Sequence, residues 1–481
     1  MAASERGEYD IREVSALARA KRFAQAVLSA LPLLAMVGAV PAVTAQTIQE
    51  EGARLPGVPE ESIAMSLPPK LADPAGMRSA LARRGVTFQA NYIGEMIGNT
   101  SGGYRRDAFY DGRLELALEA DLETMLGWEG LRFFANGYQI HGKSLSTETL
   151  GVLMPVSFIE AAPATRLYEM WFEQRLFDEK VSIRFGQLAA DSEFMLSDGS
   201  GAFLNASWGW PSIAATNMPQ GGPAYPLATP GVRMAYDPNE QLGFLVGVFN
   251  GEAAGRCPAE RDPQSCNPHG LEFPMGDPPL LIAEGAYRYN QGEGQLPGTI
   301  KLGGYRNFGD FEHQRVDAQG VPIAVSGDSP GIIDGDYGLY AIVDQMLFRF
   351  AGEGDPKGLS MFARIIGAPA DRNPVDLYWE AGLTLTGMLA SRPHDVIGIG
   401  YARTHISDDA AKAAADAGET VIPSHESLLE VSYIAEIVPG LNLQPNFQYF
   451  WNPGGHVPDP GNSAKAVADA AVFGLRTTVN Y

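Results

Sequence analysis

The chain has 481 residues, 45% of them hydrophobic and only 19% charged, so it can bury a large core and is neither disordered nor low in complexity. Its 57 acidic residues outnumber 35 basic ones, and the formal charge of −22 opposes binding to a polyphosphate backbone, which excludes nucleic acid as a natural partner. Frequent glycine (55) and proline (34) point to many turns and short strands rather than long helices.

The first segment in the chain is an address. Arg19, Lys21 and Arg22 precede a mostly apolar stretch over residues 23–40, and Val43-Thr44-Ala45 offers the small residues that suit signal-peptidase cleavage. Residues 1–45 therefore read as an extended n-region and secretory signal. Pro32 and Pro41 interrupt the run and argue against the alternative, an uncleaved membrane anchor. No later stretch of about 18 apolar residues occurs, so no transmembrane helix is expected. Residues 46–85 form a periplasmic N-terminal segment, and residues 86–481 the main domain.

From residue 86 onward the sequence alternates. Val86, Phe88, Ala90, Tyr92 and Met96 alternate with Thr87, Gln89, Asn91 and Glu95, and Leu114, Leu116, Leu118 and Ala120 with Arg113, Glu115, Glu119 and Asp121. At the far end Leu441, Leu443, Phe447, Tyr449 and Trp451 alternate with Asn442, Gln444, Asn446 and Gln448, and Phe473, Leu475, Val479 and Tyr481 with Gly474, Arg476, Thr478 and Asn480. Sixteen such segments can be placed, near residues 86, 112, 131, 166, 180, 231, 241, 281, 299, 337, 360, 377, 395, 427, 441 and 471. The even-numbered connections are mostly short, as at 177–179, 237–240 and 438–440. The odd ones are mostly long, the largest being 142–165, 189–230, 250–280 and 309–336. An even strand count with short turns on one rim and long loops on the other predicts an all-β fold, a sixteen-stranded antiparallel transmembrane β-barrel of the bacterial outer membrane. Its long loops are extracellular, and its short turns and both termini periplasmic. A soluble sandwich, the alternative, has no reason to sort its loops in this way.

Within lipid every backbone polar group must be paired, and a closed sheet achieves this, so the apolar positions face lipid and the polar ones the lumen. Trp128, Trp171, Tyr236, Tyr289, Tyr401, Trp451 and Tyr481 near strand ends suit interfacial girdles, with core packing as the alternative for any one of them. A sixteen-stranded cylinder is too wide for side chains to fill and keeps a wet channel. Alternation places Glu169, Glu173, Arg184, Arg233, Glu284, Arg288, Lys301, Arg364, Glu380, Glu430, Glu436 and Arg476 on the lumen face, a mixture of signs rather than the cationic ladder of a phosphate pore.

The longest loop, 189–230, carries Phe194, Phe203, Trp208, Trp210 and Tyr225 among Asp191, Glu193, Asn205 and Gln220. Folded into the lumen it would offer flat aromatic faces beside hydrogen-bonding groups, which suits a neutral sugar; left outside, its aromatics would merely pack on the barrel. Cys257 and Cys266 lie close together in a Pro-rich and Asp-rich loop, a spacing suited to one disulfide in an oxidising compartment. Metal ligation by these two thiols is the alternative.

Several motif matches are discounted. Residues 137–144 spell G-x-x-x-x-G-K-S, but they lie within and just after a strand of an exported chain, where no ATP is available. The seven histidines show no H-E-x-x-H spacing. No enzyme activity, cofactor or metal site is expected.

Arg184-Phe-Gly-Gln187 followed by Asp191-Ser-Glu-Phe194, then Thr229-Pro-Gly-Val-Arg233, Gly338-Leu-Tyr340 with Asp344-Gln345, and Arg392-Pro393 with Asp395 resemble the carbohydrate-selective porins of the OprB type. Leu443-Gln-Pro-Asn446, Gln448-Tyr449, Asn452-Pro-Gly-Gly455 and Gly474-Leu-Arg476 are similar to that family's closing hairpin, and the resemblance runs from about residue 80 to the end. It implies a barrel narrowed by inward-folded loops that lets monosaccharides such as glucose diffuse passively into the periplasm. It also implies a short helix before the first strand, for which Pro74 to Arg84 are available. Two departures stand out: Leu71-Ala-Asp-Pro-Ala-Gly-Met77 replaces the family's Trp-rich and Gly-rich opening, and Tyr481 ends the chain where outer-membrane barrels often have Phe.

The expected solute contacts are Glu169, Arg184, Gln187, Asp191, Trp208, Trp210, Arg233, Arg288, Arg364, Glu380 and Arg476. In the constriction their charged and amide groups would replace a sugar's lost hydration while an aromatic face covers its C–H surface, with binding weak enough for release. For each of the charges, simple bracing of the barrel wall is the alternative. The expected partners are carbohydrate solutes, outer-membrane lipid and lipopolysaccharide, and the barrel-assembly machinery, the chain being a monomer or a homotrimer. The acidic excess supports a second reading, a general cation-preferring porin without sugar selectivity, whose loops bind divalent ions or lipopolysaccharide.

Overall fold

In the computed structural model, which describes residues 56–350 and 357–481, the alternating segments form strands. The expected leader and the start of the N-terminal segment lie outside the described residues. In chain order the strands are β1 (Val86–Ser101), β2 (Ala108–Asp121), β3 (Leu131–His141), β4 (Ala164–Leu176), β5 (Val181–Leu188), β6 (Thr229–Tyr236), β7 (Leu242–Asn250), β8 (Pro279–Tyr289) and β9 (Gly298–Asp317). They continue as β10 (Pro330–Arg349), β11 (Gly358–Gly367), β12 (Val375–Thr386), β13 (Val396–Ile406), β14 (His425–Val438), β15 (Leu441–Trp451), β16 (Pro458–Asp459), β17 (Asn462–Ala466) and β18 (Ala470–Asn480). All but β16 and β17 join one closed barrel in chain order, and β18 pairs with β1 to shut it. β16 and β17 make a small ribbon inside the last long connection. Closure leaves no sheet edge open to lipid.

The two faces of the wall separate as a membrane barrel requires. On the outside Leu302 and Leu339 are 63% and 70% exposed, while Phe362, Tyr378 and Phe450 on the inside are 0% exposed. A water-soluble sheet would hide the first pair, whereas a bilayer solvates them. No helix among the described residues is long and apolar enough to cross a membrane; the strands do so.

The inner face departs from simple polar alternation. Ile282, Ile342, Phe362, Tyr378, Leu428 and Phe450 on the wall pack with Phe194, Phe203, Leu204, Trp208 and Ile213 of the loop between β5 and β6. The packing core therefore lies in the lumen. Wall side chains alone cannot fill so wide a cylinder, and an inserted loop that fills part of it needs an apolar bed.

Two further expectations are corrected. β9 and β10 each have 20 residues, so the connection read as 309–336 shrinks to residues 318–329. The hairpin overshoots the roughly 9–11 residues a strand needs to span the bilayer. Trp171, placed in a girdle by its position near a strand end, points into the lumen and is 8% exposed. Ala135 faces Met170 and Gly137 faces Leu167, so β4 holds one extra residue at this point. A bulge of one residue reverses the parity of everything beyond it. Tyr168 is inward before the bulge, and Glu169, Trp171 and Glu173 are inward after it.

The N-terminal segment straps the seam where the first and last strands meet. Its short helix, Met77–Ala82, begins where the Asp73 carboxylate accepts hydrogen bonds from the backbone N–H of Arg78 (2.7 Å) and Ser79 (3.4 Å), as N-terminal capping requires. Arg78 donates to the carbonyls of Gly57 (2.8 Å) and Phe88 (3.2 Å), and its guanidinium lies 5.0 Å from the Phe88 ring and 4.9 Å from that of Tyr481. The Tyr481 hydroxyl returns a hydrogen bond to the Leu71 carbonyl (2.7 Å), a role that phenylalanine could not fill. Arg78→Ala removes two hydrogen bonds and two cation–π contacts, together about 2–4 kcal/mol. The temperature at which the barrel loses its compact gel mobility is therefore expected to fall by several degrees in that variant, and an unchanged transition would show the strap to be passive.

Candidate functional site: the lumen constriction

A loop carried into the lumen brings backbone N–H and C=O groups that need partners away from bulk water. Wall residues at inward positions supply them. Glu430 accepts from the N–H of Leu204 (2.6 Å) and Asn205 (3.3 Å) and from the Trp208 indole (2.6 Å). Glu284 accepts from Met195 N–H (3.1 Å), and Asp344 from Ser197 Oγ (2.6 Å) and Gly199 N–H (3.1 Å). Arg364 supplies the opposite chemistry, donating to the carbonyls of Ser207 (2.7 Å), Trp208 (3.0 Å), Gly209 (3.2 Å) and Met195 and to the Glu380 carboxylate (2.8 Å). The loop between β5 and β6 thus lies inside the barrel, which decides between the two placements its sequence allowed. The loop between β3 and β4 is held in the same way, with Glu426 accepting from Leu153 and Met154 N–H (2.9 and 2.8 Å). Within that loop Glu160 accepts from Leu145 N–H (2.8 Å) and Ser144 Oγ (3.0 Å), and burial pushes its carboxyl up to about 7.

The β2–β6 wall keeps a belt of charge. Glu173 accepts from Ser182 Oγ (2.8 Å) and from Arg175 (3.2 Å), Arg184 (3.2 Å) and Arg233 (3.1 Å). Glu193, at the neck of the inserted loop, reaches back to Arg233 (2.6 Å) and Arg184 (3.3 Å) and so ties loop to wall. The Arg184 guanidinium sits 3.8 Å from the centre of the Trp171 ring, whose other neighbour is Phe134 at 4.9 Å. Nearby, Arg132 pairs with Glu119 (3.3 Å) and Arg113 with Glu115 (3.6 Å), and Arg113 lies 4.6 Å from the Tyr138 ring. Donors and acceptors alternate along this belt, with carboxylates beside every arginine. Such a lining can exchange hydrogen bonds with a hydroxylated solute without selecting strongly for either sign of charge.

The model of the carbohydrate-selective porin, OprB family matches residues 105–481. The chain belongs to that family. It is 27% identical over 413 residues to Porin B of Pseudomonas aeruginosa, covering 80% of this chain and 87% of that protein. It is 23% identical over 463 residues to a putative porin, QuiX, of Acinetobacter baylyi, covering 85% and 92%. Of solved structures, the high-pH form of Pseudomonas putida OprB superposes with a TM-score of 0.72 at 24% identity, over 85% of this chain and 97% of that one. This porin is therefore a protein of the bacterial outer membrane, and its barrel is the one that the strand count predicts.

The porin's expected solute contacts fall into three groups. Arg184 and Arg233 meet in the charged belt. Glu169 and Asp191 stand beside it but hold the loop: Glu169 accepts from Ala189 N–H (3.1 Å), Asp191 from Tyr168 Oη (2.9 Å) and Tyr225 N–H (2.8 Å), and burial raises the Asp191 carboxyl above its ordinary range. The rest require correction as direct solute contacts. The Arg364 and Glu380 side chains have no exposed surface, because the loop lies over them. Trp208 is buried against Glu430, and Trp210 donates within its own loop to the Gly221 carbonyl (2.9 Å). Gln187 donates to the carbonyls of Tyr168 (2.6 Å) and Gly270 (3.2 Å), anchoring the loop between β7 and β8. Arg288 pairs with Asp237 (3.2 Å) at the periplasmic rim, far along its strand from the inserted loop. Arg476 is bound to Glu95 and Ser157 Oγ (3.2 Å) beneath the Phe158 ring. Cys257 and Cys266 form a disulfide.

Several residues of the belt were absent from the expected contacts, among them Glu173, which the sequence had placed on the lumen face. Glu193 stands inside the Asp-Ser-Glu-Phe motif, and Arg113 and Arg175 follow strand parity, so the signal was present. Trp171 shares the parity of Glu169 and Glu173, and its aromatic ring was read as a girdle residue instead.

Proposed function

We propose that this porin passes neutral monosaccharides such as glucose into the periplasm by passive diffusion, with discrimination made at the charged belt between the β2–β6 wall and the neck of the inserted loop. It works among outer-membrane lipid and lipopolysaccharide, once inserted by the barrel-assembly machinery. The observation that carries the reading is the pairing of Arg175, Arg184 and Arg233 with Glu173, Glu179 and Glu193, three charges against three. A sugar entering this zone exchanges water for guanidinium donors and carboxylate acceptors, and each exchanged bond is close to neutral in free energy, so the solute is held weakly and leaves. No covalent step, cofactor or energy source is involved.

Liposomes carrying the purified porin are expected to swell faster in isosmotic glucose than in a disaccharide of matched osmolarity, and glucose is expected to reduce single-channel ion current in a concentration-dependent way. A current that prefers cations and ignores every sugar tested would replace this reading with that of a general pore.

A further inference from the structure

A second set of charges on the lumen wall lies outside the belt and has an incomplete set of partners. Asp111 on β2 is directly opposite Glu95 on β1, and Glu95 in turn is opposite Arg476 on β18. Directly opposed side chains on one face have Cβ atoms about 4.5–5.5 Å apart, and like charges so placed repel. Both carboxylates are buried, Asp111 at 5% exposed and Glu95 at 0%. Arg476 donates its Nε to Glu95 Oε1 and turns its Nη2 to Ser157 Oγ (3.2 Å). Glu95 Oε2 and both carboxylate oxygens of Asp111 are left without a donor.

Neighbouring groups do not repair this. Arg113, two residues along β2, pairs with Glu115 (3.6 Å) and lies against the rings of Tyr138 (4.6 Å) and Tyr225 (5.5 Å). Glu160 adds another carboxyl and is occupied with the amides of its own loop. Two facing carboxylates with one guanidinium leave one negative charge uncompensated, and buried oxygens without donors carry a desolvation penalty. A proton shared between the two carboxyls would partner one oxygen of each and leave the third without a donor, whereas a cation can be shared by all three.

We propose that Glu95 and Asp111 bind a monovalent hard cation, sodium or potassium, between their three free oxygens. The charge balances with one positive unit. Oxygen ligands suit such an ion, as they suit the other hard cations. With Arg476 bound to Glu95, the pair carries one net negative charge, which a monovalent ion balances and a divalent one would overcompensate. The ion ties β1 and β2 to the seam strand β18 through Glu95 and Arg476. The site is independent of the sugar reading.

Crystals of the intact porin soaked in thallium(I) should show an anomalous peak between the two carboxylates. In solution, the temperature of the gel-mobility transition should drop when potassium is replaced by N-methylglucamine at equal ionic strength. Asp111→Asn, which keeps the shape and removes the charge, should be equally stable in both salts. Absence of the peak overturns the proposal, as does an equal salt response in the variant. A wild-type transition that ignores the cation and follows pH overturns it too, because the pair then holds a proton.

Discussion

Arg364→Ala is expected to raise single-channel conductance and abolish sugar block while leaving a folded but less stable barrel. Arg364 touches no solute; it fixes the loop between β5 and β6 by donating to four of its carbonyls, and its ion pair with Glu380 has no exposed surface. Truncation leaves Glu380 buried beside a void. Removing one partner of a buried ion pair costs about 3–5 kcal/mol, and each orphaned carbonyl adds to that. The cheapest relief is for the loop segment around residues 207–209 to lift away, which admits water to Glu380 and opens the lumen. Arg364→Lys keeps the charge, but a compact ammonium cannot address the fan of carbonyls that a guanidinium reaches, so an intermediate conductance is expected. Planar-bilayer recordings with and without glucose measure both quantities. Unchanged conductance and block in the alanine variant would mean that Glu430, Asp344 and Glu284 hold the loop without it.

Arg184 and Arg364 show where the sequence stops being legible. Both are inward arginines in alternating strands, and parity ranks them alike. What separates them is the covering: Arg184 stands at the open neck of the loop, and Arg364 beneath its middle. That difference depends on contacts between residues some 150 positions apart, which no local pattern encodes. The barrel itself was readable because lipid outside and water inside impose a two-residue period on nearly every strand, and because short turns and long loops sort to opposite rims. The β4 bulge escaped because one inserted residue leaves composition unchanged while reversing which side chains face in. The apolar bed inside the lumen escaped for another reason. Phe362, Tyr378 and Phe450 share the inward parity of Arg364, Glu380 and Gln448, but no local pattern shows the inserted loop that covers them. Wall carboxylates such as Glu430 and Asp344 carry a hint that could have been used, since acids set beside inward apolar residues such as Leu428 and Ile342 need N–H partners, and a long loop is the available source.

Glu173→Gln is expected to shift the porin's ion selectivity toward anions and to weaken its discrimination among sugars. The Glu173 carboxylate contacts three arginines, and the belt balances Arg175, Arg184 and Arg233 against Glu173, Glu179 and Glu193. Glutamine keeps the length and the link to Ser182 but removes one negative charge, leaving an excess of one positive charge at the neck of the inserted loop. Arg233 is hardly exposed and then keeps Glu193 as its one carboxylate partner, beside Ser182, and Arg184 likewise retains only Glu193. In a salt gradient the cation-to-anion permeability ratio should fall several-fold, most at low ionic strength, where screening is weakest. Glu173→Asp restores the charge and should recover most of the wild-type ratio. The glutamine variant also separates two roles that the wild type combines. If selectivity moves and glucose block survives, the belt sets charge preference while sugars are recognised elsewhere in the lumen. If both change together, one balanced set of arginines and carboxylates governs ions and sugars alike.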